Sequence, residues 1–208
     1  MTMGDEDLFA SMTLPVVIGP ILEKLEQKDM GAAKTLRTAF SKVEQTYPGF
    51  AYDFVKGLLL KAGLQGQIDM CESLLRLEGL NESDDLRISR PEQAFQELNL
   101  RAQKLKRILS RIPDQITNRR EFLETIKEIA SAIKYLLDAV NNVINHIPLH
   151  ENKQKLEHRK REFVRHSKRF SDTLKEFFKK SQSRDVFVSA NYLVNQTNMI
   201  LKEVKNVS

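Results

Sequence analysis

Two stretches of this sequence place a small residue between two lysines at the same spacing. At positions i, i+3 and i+7 the stretches contain Lys127, Ala130 and Lys134, and then Lys168, Ser171 and Lys175. At helical spacing each set lies along one face of a helix. Two such helices side by side would form a shallow groove with a small-residue floor and four cationic walls. Such a groove suits an acidic amphipathic helix, because lysine stems cover apolar surface while their ammonium groups meet carboxylates.

The lysines hold the same place in two heptad patterns. With Ile126 and Ile133 at heptad position a, the lysines fall on b and the small residue on e, and Ser167 and Leu174 at a give the second stretch the same assignment. Position b ordinarily faces solvent, so a plain solvated helix face is the alternative explanation. The functional hypothesis rests on the recurrence of the same slots on two consecutive predicted helices.

Residues that could support catalysis or hold a metal are poorly spaced. His146 and His150 are four residues apart, but Pro148 breaks the helix between them. The sequence has no HExxH motif, no paired-cysteine site, no phosphate loop and no nucleophile elbow. Cys71 lies on an amphipathic segment, which is typical of a buried structural thiol. We therefore expect no enzyme, no cofactor and no metal site.

Composition is that of a folded, helical protein. Hydrophobic residues make up 41% and charged residues 29%, with eight glycines, six prolines and no tryptophan. A single cysteine excludes an internal disulfide framework and fits a reducing compartment. The acidic N-terminus lacks the layout of a signal peptide, and the most apolar run, 14–22, is too short to span a bilayer. We expect a cytosolic protein.

Charge differs between the two halves of the chain. Residues 1–96 carry 10 Lys/Arg and 15 Asp/Glu, whereas residues 97–208 carry 23 and 13. The basic half should attract an acidic peptide, an anionic membrane or nucleic acid. Nucleic acid is disfavoured, because the dense basic run 153–180 lacks interleaved aromatics and no helix-turn-helix, zinc or RNA-recognition motif is present. Lipid contact stays open.

Periodicity in the second half predicts four long helices, at about 91–112, 117–147, 152–180 and 184–204. The second has an unbroken seam at spacings of three and four: Phe122, Ile126, Ile129, Ile133, Leu136, Val140, Val143, Ile147. Pro113 and Pro148 end the first and second helices. Sustained spacing with short connections indicates an antiparallel four-helix bundle.

The first half predicts shorter helices, at about 14–26, 32–44, 51–62 and 68–78. No segment has strand periodicity, so the fold class is all-α. We divide the chain into a helical domain at 1–79, a polar, acidic linker at 80–94 and the bundle at 95–208.

The helical domain at 1–79 is too apolar for its size. Leu58, Leu59 and Leu60 point around more than half of a helix, so one face cannot bury all three. Short helices in so few residues struggle to complete a core. We expect the domain to complete it against a second chain; a compact domain with a few exposed leucines is the alternative.

Six ordered segments carry a resemblance to a known family. They are TLRTAF (35–40), SLLRL (73–77), RPEQAFQELN (90–99), FLETIKEIASAIKYLLDAVNNV (122–143), EFVRHSKRFSDTLK (162–175) and FVSANYLVNQTNMIL (187–201). On these segments the chain resembles the programmed cell death protein 10, or cerebral cavernous malformation 3 protein, family. The resemblance covers nearly the whole chain and is weak before about Leu14.

The resemblance implies a non-enzymatic protein with an N-terminal dimerisation domain and a bundle similar to focal-adhesion-targeting domains. It implies homodimers, or heterodimers with the C-terminal tails of class III germinal centre kinases of the Ste20 type. The bundle would bind leucine- and aspartate-rich helices, as in paxillin and the cerebral cavernous malformation 2 protein. Striatin and phosphoinositides are further implied partners, and the implied location is cytoplasmic with Golgi and plasma-membrane association.

Carried over by position, the family's functional residues form two sets. The peptide-binding groove falls on Lys127, Ala130, Ser131, Lys134, Lys168, Ser171 and Lys175, and the dimer or kinase interface falls on Leu36, Ala39, Phe40, Leu58 and Leu59. The chain departs from the family pattern around 145–155, where the turn looks longer, and Gly57 is a local weakness within a predicted helix.

These observations predict an all-helical adaptor that links a kinase to membrane-proximal or cytoskeletal partners. The alternative is a peripheral membrane protein whose basic bundle binds anionic phosphoinositides, with peptide binding secondary.

Overall fold

The computed structural model describes residues 3–80 and 86–206. The fold is all-α, as the sequence predicts, and no β-strand occurs within those two ranges. The chain divides into two compact units, unit 1 at residues 1–77 and unit 2 at residues 78–208.

Unit 1 starts with one continuous helical segment and continues with separate helices. The elements are α1 (Met3–Thr13), a π-helical turn (Leu14–Ile18), α2 (Gly19–Glu26), α3 (Met30–Thr46), α4 (Phe50–Lys61) and α5 (Met70–Leu80), whose last residues belong to unit 2. The predicted start of the first helix near Leu14 is therefore wrong. Asp5 and Glu6 lie in the first turn of α1, where negative charge is favourable beside the positive end of the helix dipole.

The first helical segment supplies much of the core of unit 1. Phe9 and Met12 are at most 2% exposed, and α1 packs against α4. Farther along, Ile18 and Leu22 pack with Ala51 of α4. The stretch Asp5–Glu26 is long and apolar enough to cross a membrane by length and composition alone, although the short run 14–22 is not. Part of this stretch, including Phe9, Met12, Ile18 and Leu22, is buried inside unit 1.

Side-chain caps fix the ends of the next helices. Asp29 accepts a hydrogen bond from the backbone N–H of Ala32 (2.9 Å) at the start of α3. The turn into α4 passes through Gly49, whose φ of +94° suits glycine, and Glu44 accepts hydrogen bonds from the N–H groups of Gly49 (2.6 Å) and Ala51 (2.9 Å). These bonds hold α3 and α4 as a tight hairpin.

Unit 2 is a four-helix bundle. Its long helices are α6 (Gln93–Leu109), α8 (Arg119–His146), α9 (His150–Lys180) and α10 (Ser183–Asn206), and a short α7 (Ile112–Gln115) lies between the first two. Helix α6 packs on α8, α8 on α9, α9 on α10 and α10 on α6. The sequence predicts the four long helices to within about two residues at most ends, but it predicts a break where α7 forms. Pro113 is tolerated there because the first turn of a helix needs no donor from it.

Most residues of the predicted seams are buried in the bundle core, but Ile126 and Ile133 on α8 and Ser167 and Phe177 on α9 are half-buried. Of the eight residues of the seam predicted along α8, six are buried, including Ile147 just after the helix, but Ile126 and Ile133 are only half-buried. These two isoleucines lie toward the surface between α8 and α9. The link from α8 to α9 consists of residues 147–149 alone, so the longer turn expected around 145–155 is taken up by helix.

The start of unit 2 lies earlier than the sequence suggested. Glu78 is 2% exposed and accepts hydrogen bonds from Nζ of Lys106 (3.0 Å) and Nδ2 of Asn198 (2.7 Å). Within the expected linker 80–94, residues 81–85 lie outside the described part of the chain. Farther on, Ile88 is buried and its backbone exchanges two hydrogen bonds with the amide of Asn99. The described part of that linker is thus packed on α6.

Candidate functional site

Helices α8 and α9 run antiparallel and place the two lysine stretches along one seam. Near one end of the pair the rings of Phe122 and Phe177 meet edge to face, with centroids 5.5 Å apart. Toward the other end Nζ of Lys160 donates to Oδ1 of Asn141 (3.0 Å). This register brings the middle of α8, with the first lysine stretch, alongside the middle of α9, with the second.

All seven predicted groove residues are exposed to solvent. They are Lys127, Ala130, Ser131 and Lys134 on α8, and Lys168, Ser171 and Lys175 on α9; we call this set the lysine groove. Ile126, Ile133 and Ser167 are adjacent to these residues in the sequence and are half-buried. The two isoleucines add apolar surface below the lysines, and Ser167 adds a further small residue. With small residues on both helices, the backbone of a partner helix can approach closely, so the arrangement suits peptide binding rather than chemistry.

Two of the four groove lysines already have acidic partners. Nζ of Lys127 lies 2.9 Å from Oε1 of Glu124, and Nζ of Lys175 lies 2.8 Å from Oδ1 of Asp172. The hydrogen bond from Lys175, with the charges of Lys175 and Lys168, lowers the pKa of Asp172. Within the described residues Lys134 and Lys168 have no ion pair.

Exposed apolar side chains lie at the ends of the lysine groove. Leu123 is 42% exposed, Val164 47% and Phe178 41%. The sequence analysis did not single them out, although the spacing of the lysines leads directly to them. Their exposure extends the groove with apolar surface that leucines of an incoming helix can cover.

The predicted interface residues of unit 1 lie at or near its surface. Leu36, Ala39 and Leu58 are exposed, while Phe40 and Leu59 are half-buried; we call these five residues the apolar face. Phe40 contacts two further rings, Phe50 (centroids 6.1 Å apart) and Phe54 (5.5 Å), and both of these are exposed. Sequence reasoning omitted Phe50 and Phe54 from the interface, although their spacing of four on α4 places them on one face.

The basic run 153–180 is less cationic than its composition suggests. Much of its charge is paired: Arg159–Glu203, Lys160–Glu157, Arg165–Glu162, Lys179–Glu176 and Lys180–Glu176. His166 stacks on Tyr192 with ring centroids 5.1 Å apart, and burial lowers its pKa. Within the lysine groove these pairings leave Lys134 and Lys168 as the two lysines without an ion pair among the described residues.

The other titratable candidates belong neither to the lysine groove nor to the apolar face. Nδ1 of His146 lies 2.7 Å from the carbonyl oxygen of Asn142, and His150 contacts Gln154. Cys71 is buried. No group of three or more His, Cys, Asp or Glu that could hold a metal occurs among residues 3–80 and 86–206.

Comparison with known proteins places both units in one family. The family model described as programmed cell death protein 10, dimerisation domain, matches residues 6–65, and the one described as programmed cell death protein 10, C-terminal, matches residues 68–157. A programmed cell death protein 10 homolog from Caenorhabditis elegans is 43% identical over 202 residues, which cover 93% of each chain. The chain therefore belongs to the programmed cell death protein 10 family and carries its dimerisation domain.

Proposed function

We propose that this chain is a non-enzymatic adaptor that pairs with a second chain through unit 1 and binds acidic helices through unit 2. The observation that carries the proposal is the exposed apolar face within the region that matches a dimerisation domain. The lysine groove adds a second, chemically different surface on the bundle. A protein with two such surfaces can hold two partners at once.

Pairing through unit 1 is supported by the apolar area that this unit leaves in water. Leu58 is 51% exposed, Leu60 59% and Phe54 41%, and all three lie on α4. Phe54 and Leu58 are four residues apart and share one face of the helix, while Leu60 points to another side. Exposed apolar surface of this kind is costly in water and normally marks an interface. The partner is a second copy of this chain or the C-terminal tail of a class III germinal centre kinase, whichever buries the apolar face better.

Helix binding through unit 2 is supported by the charge and shape of the lysine groove. Four exposed lysines flank Ala130 and Ser171, and two of them, Lys134 and Lys168, form no ion pair among the described residues and so are available to carboxylates. The partner is a leucine- and aspartate-rich helix, of the kind that the family resemblance assigns to paxillin and the cerebral cavernous malformation 2 protein. Striatin is a further proposed partner of the adaptor.

The first experiment mixes the purified chain with a class III germinal centre kinase tail and measures molar mass by light scattering on a sizing column. A one-to-one complex that replaces a homodimer supports the proposal. A homodimer that the tail leaves unchanged contradicts the kinase-pairing part and leaves the groove as the remaining supported site.

The rival function is binding of anionic phosphoinositides through the basic bundle, which the charge of residues 97–208 favours. Flotation with liposomes, with and without phosphoinositides, separates the two. Lipid binding should fall steeply with salt, whereas a peptide held by buried leucines should be less sensitive.

A further inference from the structure

The residue types along the lysine groove read the same from either end. Helix α8 presents, in chain order, Leu123, Lys127, Ala130, Lys134 and Leu137. Helix α9, which runs the opposite way, presents the matching order apolar, lysine, small, lysine, apolar: Val164, Lys168, Ser171, Lys175 and Phe178. By shape and residue type alone, a helix of about 14 residues, ~21 Å long, would fit in either direction.

Charge removes this symmetry. Lys127 and Lys175 form one end of the groove, near the Phe122–Phe177 contact, and both are paired with an acid three residues earlier in the chain. Lys134 and Lys168 form the other end, and neither has an ion pair among the described residues. We call these the paired end and the open end.

Helix geometry explains the difference between the two ends. An acid on the N-terminal side of a lysine pairs better than one on its C-terminal side, because that order agrees with the helix dipole. Glu124 and Asp172 stand N-terminal to Lys127 and Lys175. Lys134 and Lys168 have their nearest acid four residues later, at Asp138 and Asp172, and Asp172 is already bonded to Lys175.

We propose that a bound acidic helix takes one direction in the lysine groove, with its acid-rich end between Lys134 and Lys168. This inference rests on the proposed helix-binding function and adds the direction of the partner. Carboxylates at the open end meet two ammonium groups that form no ion pair among the described residues, whereas at the paired end they must displace Glu124 and Asp172 from Lys127 and Lys175. The apolar part of the helix then covers Leu123 and Phe178 beyond the paired end.

Direction is measured with a synthetic amphipathic helical peptide that carries leucines on one face and two aspartates at its N-terminal end. A nitroxide on the peptide N-terminus should broaden the methyl NMR signals of Leu137 and Val164 in the full chain. A nitroxide on the C-terminus should instead broaden those of Leu123. Equal broadening of both ends by either nitroxide, or the reverse pattern, overturns the inference.

Affinity gives a second readout. Lys134→Gln or Lys168→Gln should each weaken peptide binding about three- to fivefold, and Lys127→Gln or Lys175→Gln less than about twofold, because the peptide carboxylates lie at the open end. Equal losses from all four substitutions overturn the inference.

A double variant tests whether the acids that pair with Lys127 and Lys175 set the direction of the bound helix. Glu124→Gln with Asp172→Asn removes both competing acids, so the peptide should then bind in both directions and each nitroxide should broaden both ends. The matched control, Glu151→Gln with Glu176→Gln, removes the same charge from acids that pair with Lys155, Lys179 and Lys180 outside the groove. The peptide should keep one direction in the control, and loss of direction in the control overturns the inference.

Failure of the groove and failure of the inference give different results. If the unaltered chain does not bind the peptide, both the groove and the inference are refuted. If the peptide binds in both directions, only the inference is refuted.

Discussion

The two units present surfaces of opposite character. In unit 1 the exposed residues are large and apolar, and Phe40, Phe50 and Phe54 form an aromatic cluster that solvent reaches. In unit 2 the apolar seam is buried, and the surface between α8 and α9 carries lysines around small residues. The bundle therefore has a largely buried core, and its groove surface is cationic in the middle with exposed apolar side chains at the ends, while unit 1 has surface that resembles half of a core.

This contrast predicts two different kinds of association. Burial of apolar surface is nearly independent of salt, permits large contact areas and suits a stable partner. Exposed ion pairs are weak singly and are screened by salt, so the groove suits exchangeable helical partners. Both surfaces are exposed on their own units, so each can be altered separately.

The largest expected effect comes from charging the apolar face. Leu36→Asp with Leu58→Asp should convert the dimer to a monomer and block pairing with the kinase tail, because buried unpaired carboxylates are costly in an interface. Light scattering on a sizing column measures the mass, and peptide binding by the groove serves as the control, since it should be unchanged. If the doubly altered chain still purifies with the kinase tail, the interface lies elsewhere.

The next effect comes from reversing charge in the groove. Lys127→Asp with Lys168→Asp should weaken binding of a leucine- and aspartate-rich peptide by more than about tenfold, because the attraction at Lys168 becomes a repulsion and the groove gains two negative charges. Fluorescence anisotropy measures the affinity, and the mass of the dimer should stay the same. Arg161→Asp with Lys202→Asp, two exposed positions on α9 and α10 outside the groove, is the matched control for net charge. Retained peptide affinity in the groove variant would refute the groove assignment.

The parts of the fold that the sequence predicts are those set by local periodicity. The four long bundle helices follow from seams of uninterrupted spacing, and the same spacing places Lys127 and Lys134 on one exposed face. Helix α1 was not predicted because its residues show little amphipathic periodicity. Its packing in unit 1 depends on burial of Phe9 and Met12.

Features that depend on contacts between distant residues could not be predicted. Glu78 reads as an ordinary surface acid, yet its carboxylate is buried between Lys106 of α6 and Asn198 of α10. The pairing that divides the groove into a paired and an open end is local in sequence, but its meaning depends on the antiparallel register of α8 and α9. The spacing of residues in the sequence predicts which side chains belong to the groove. The register of α8 against α9 is needed to show which lysines share an end and that the two ends differ.

A smaller effect compares packing at two helical glycines, one in each unit. A Cβ at Gly79 would lie 1.8 Å from Oγ of Ser110, so Gly79→Ala should lower stability by about 1–3 kcal/mol. A Cβ at Gly57 in α4 meets nothing within 4 Å, so Gly57→Ala should raise stability by up to about 1 kcal/mol. Thermal unfolding measures both. Equal effects of the two substitutions would contradict the tight approach of Gly79 to the bundle.

The smallest effect concerns the titration of Asp172. Its pKa lies below the usual range for aspartate, first because of the hydrogen bond from Lys175, then because of that lysine's charge, with a lesser contribution from Lys168. The stabilising pair is therefore present above the usual pKa and is lost as pH falls through the lowered value. Titration of the carboxyl carbon by NMR should show the pKa rising in Lys175→Met and rising less in Lys168→Met.

The two methionine variants each remove one positive charge and keep similar side-chain length, so their difference reports the hydrogen bond from Lys175 together with the closer charge of that lysine. A larger rise in Lys168→Met would mean that Asp172 pairs across the open end instead. Each end of the groove would then hold one paired and one unpaired lysine, and the basis for a single direction of the bound helix would disappear. The carboxyl titration thus tests the electrostatic asymmetry of the groove in the absence of any peptide.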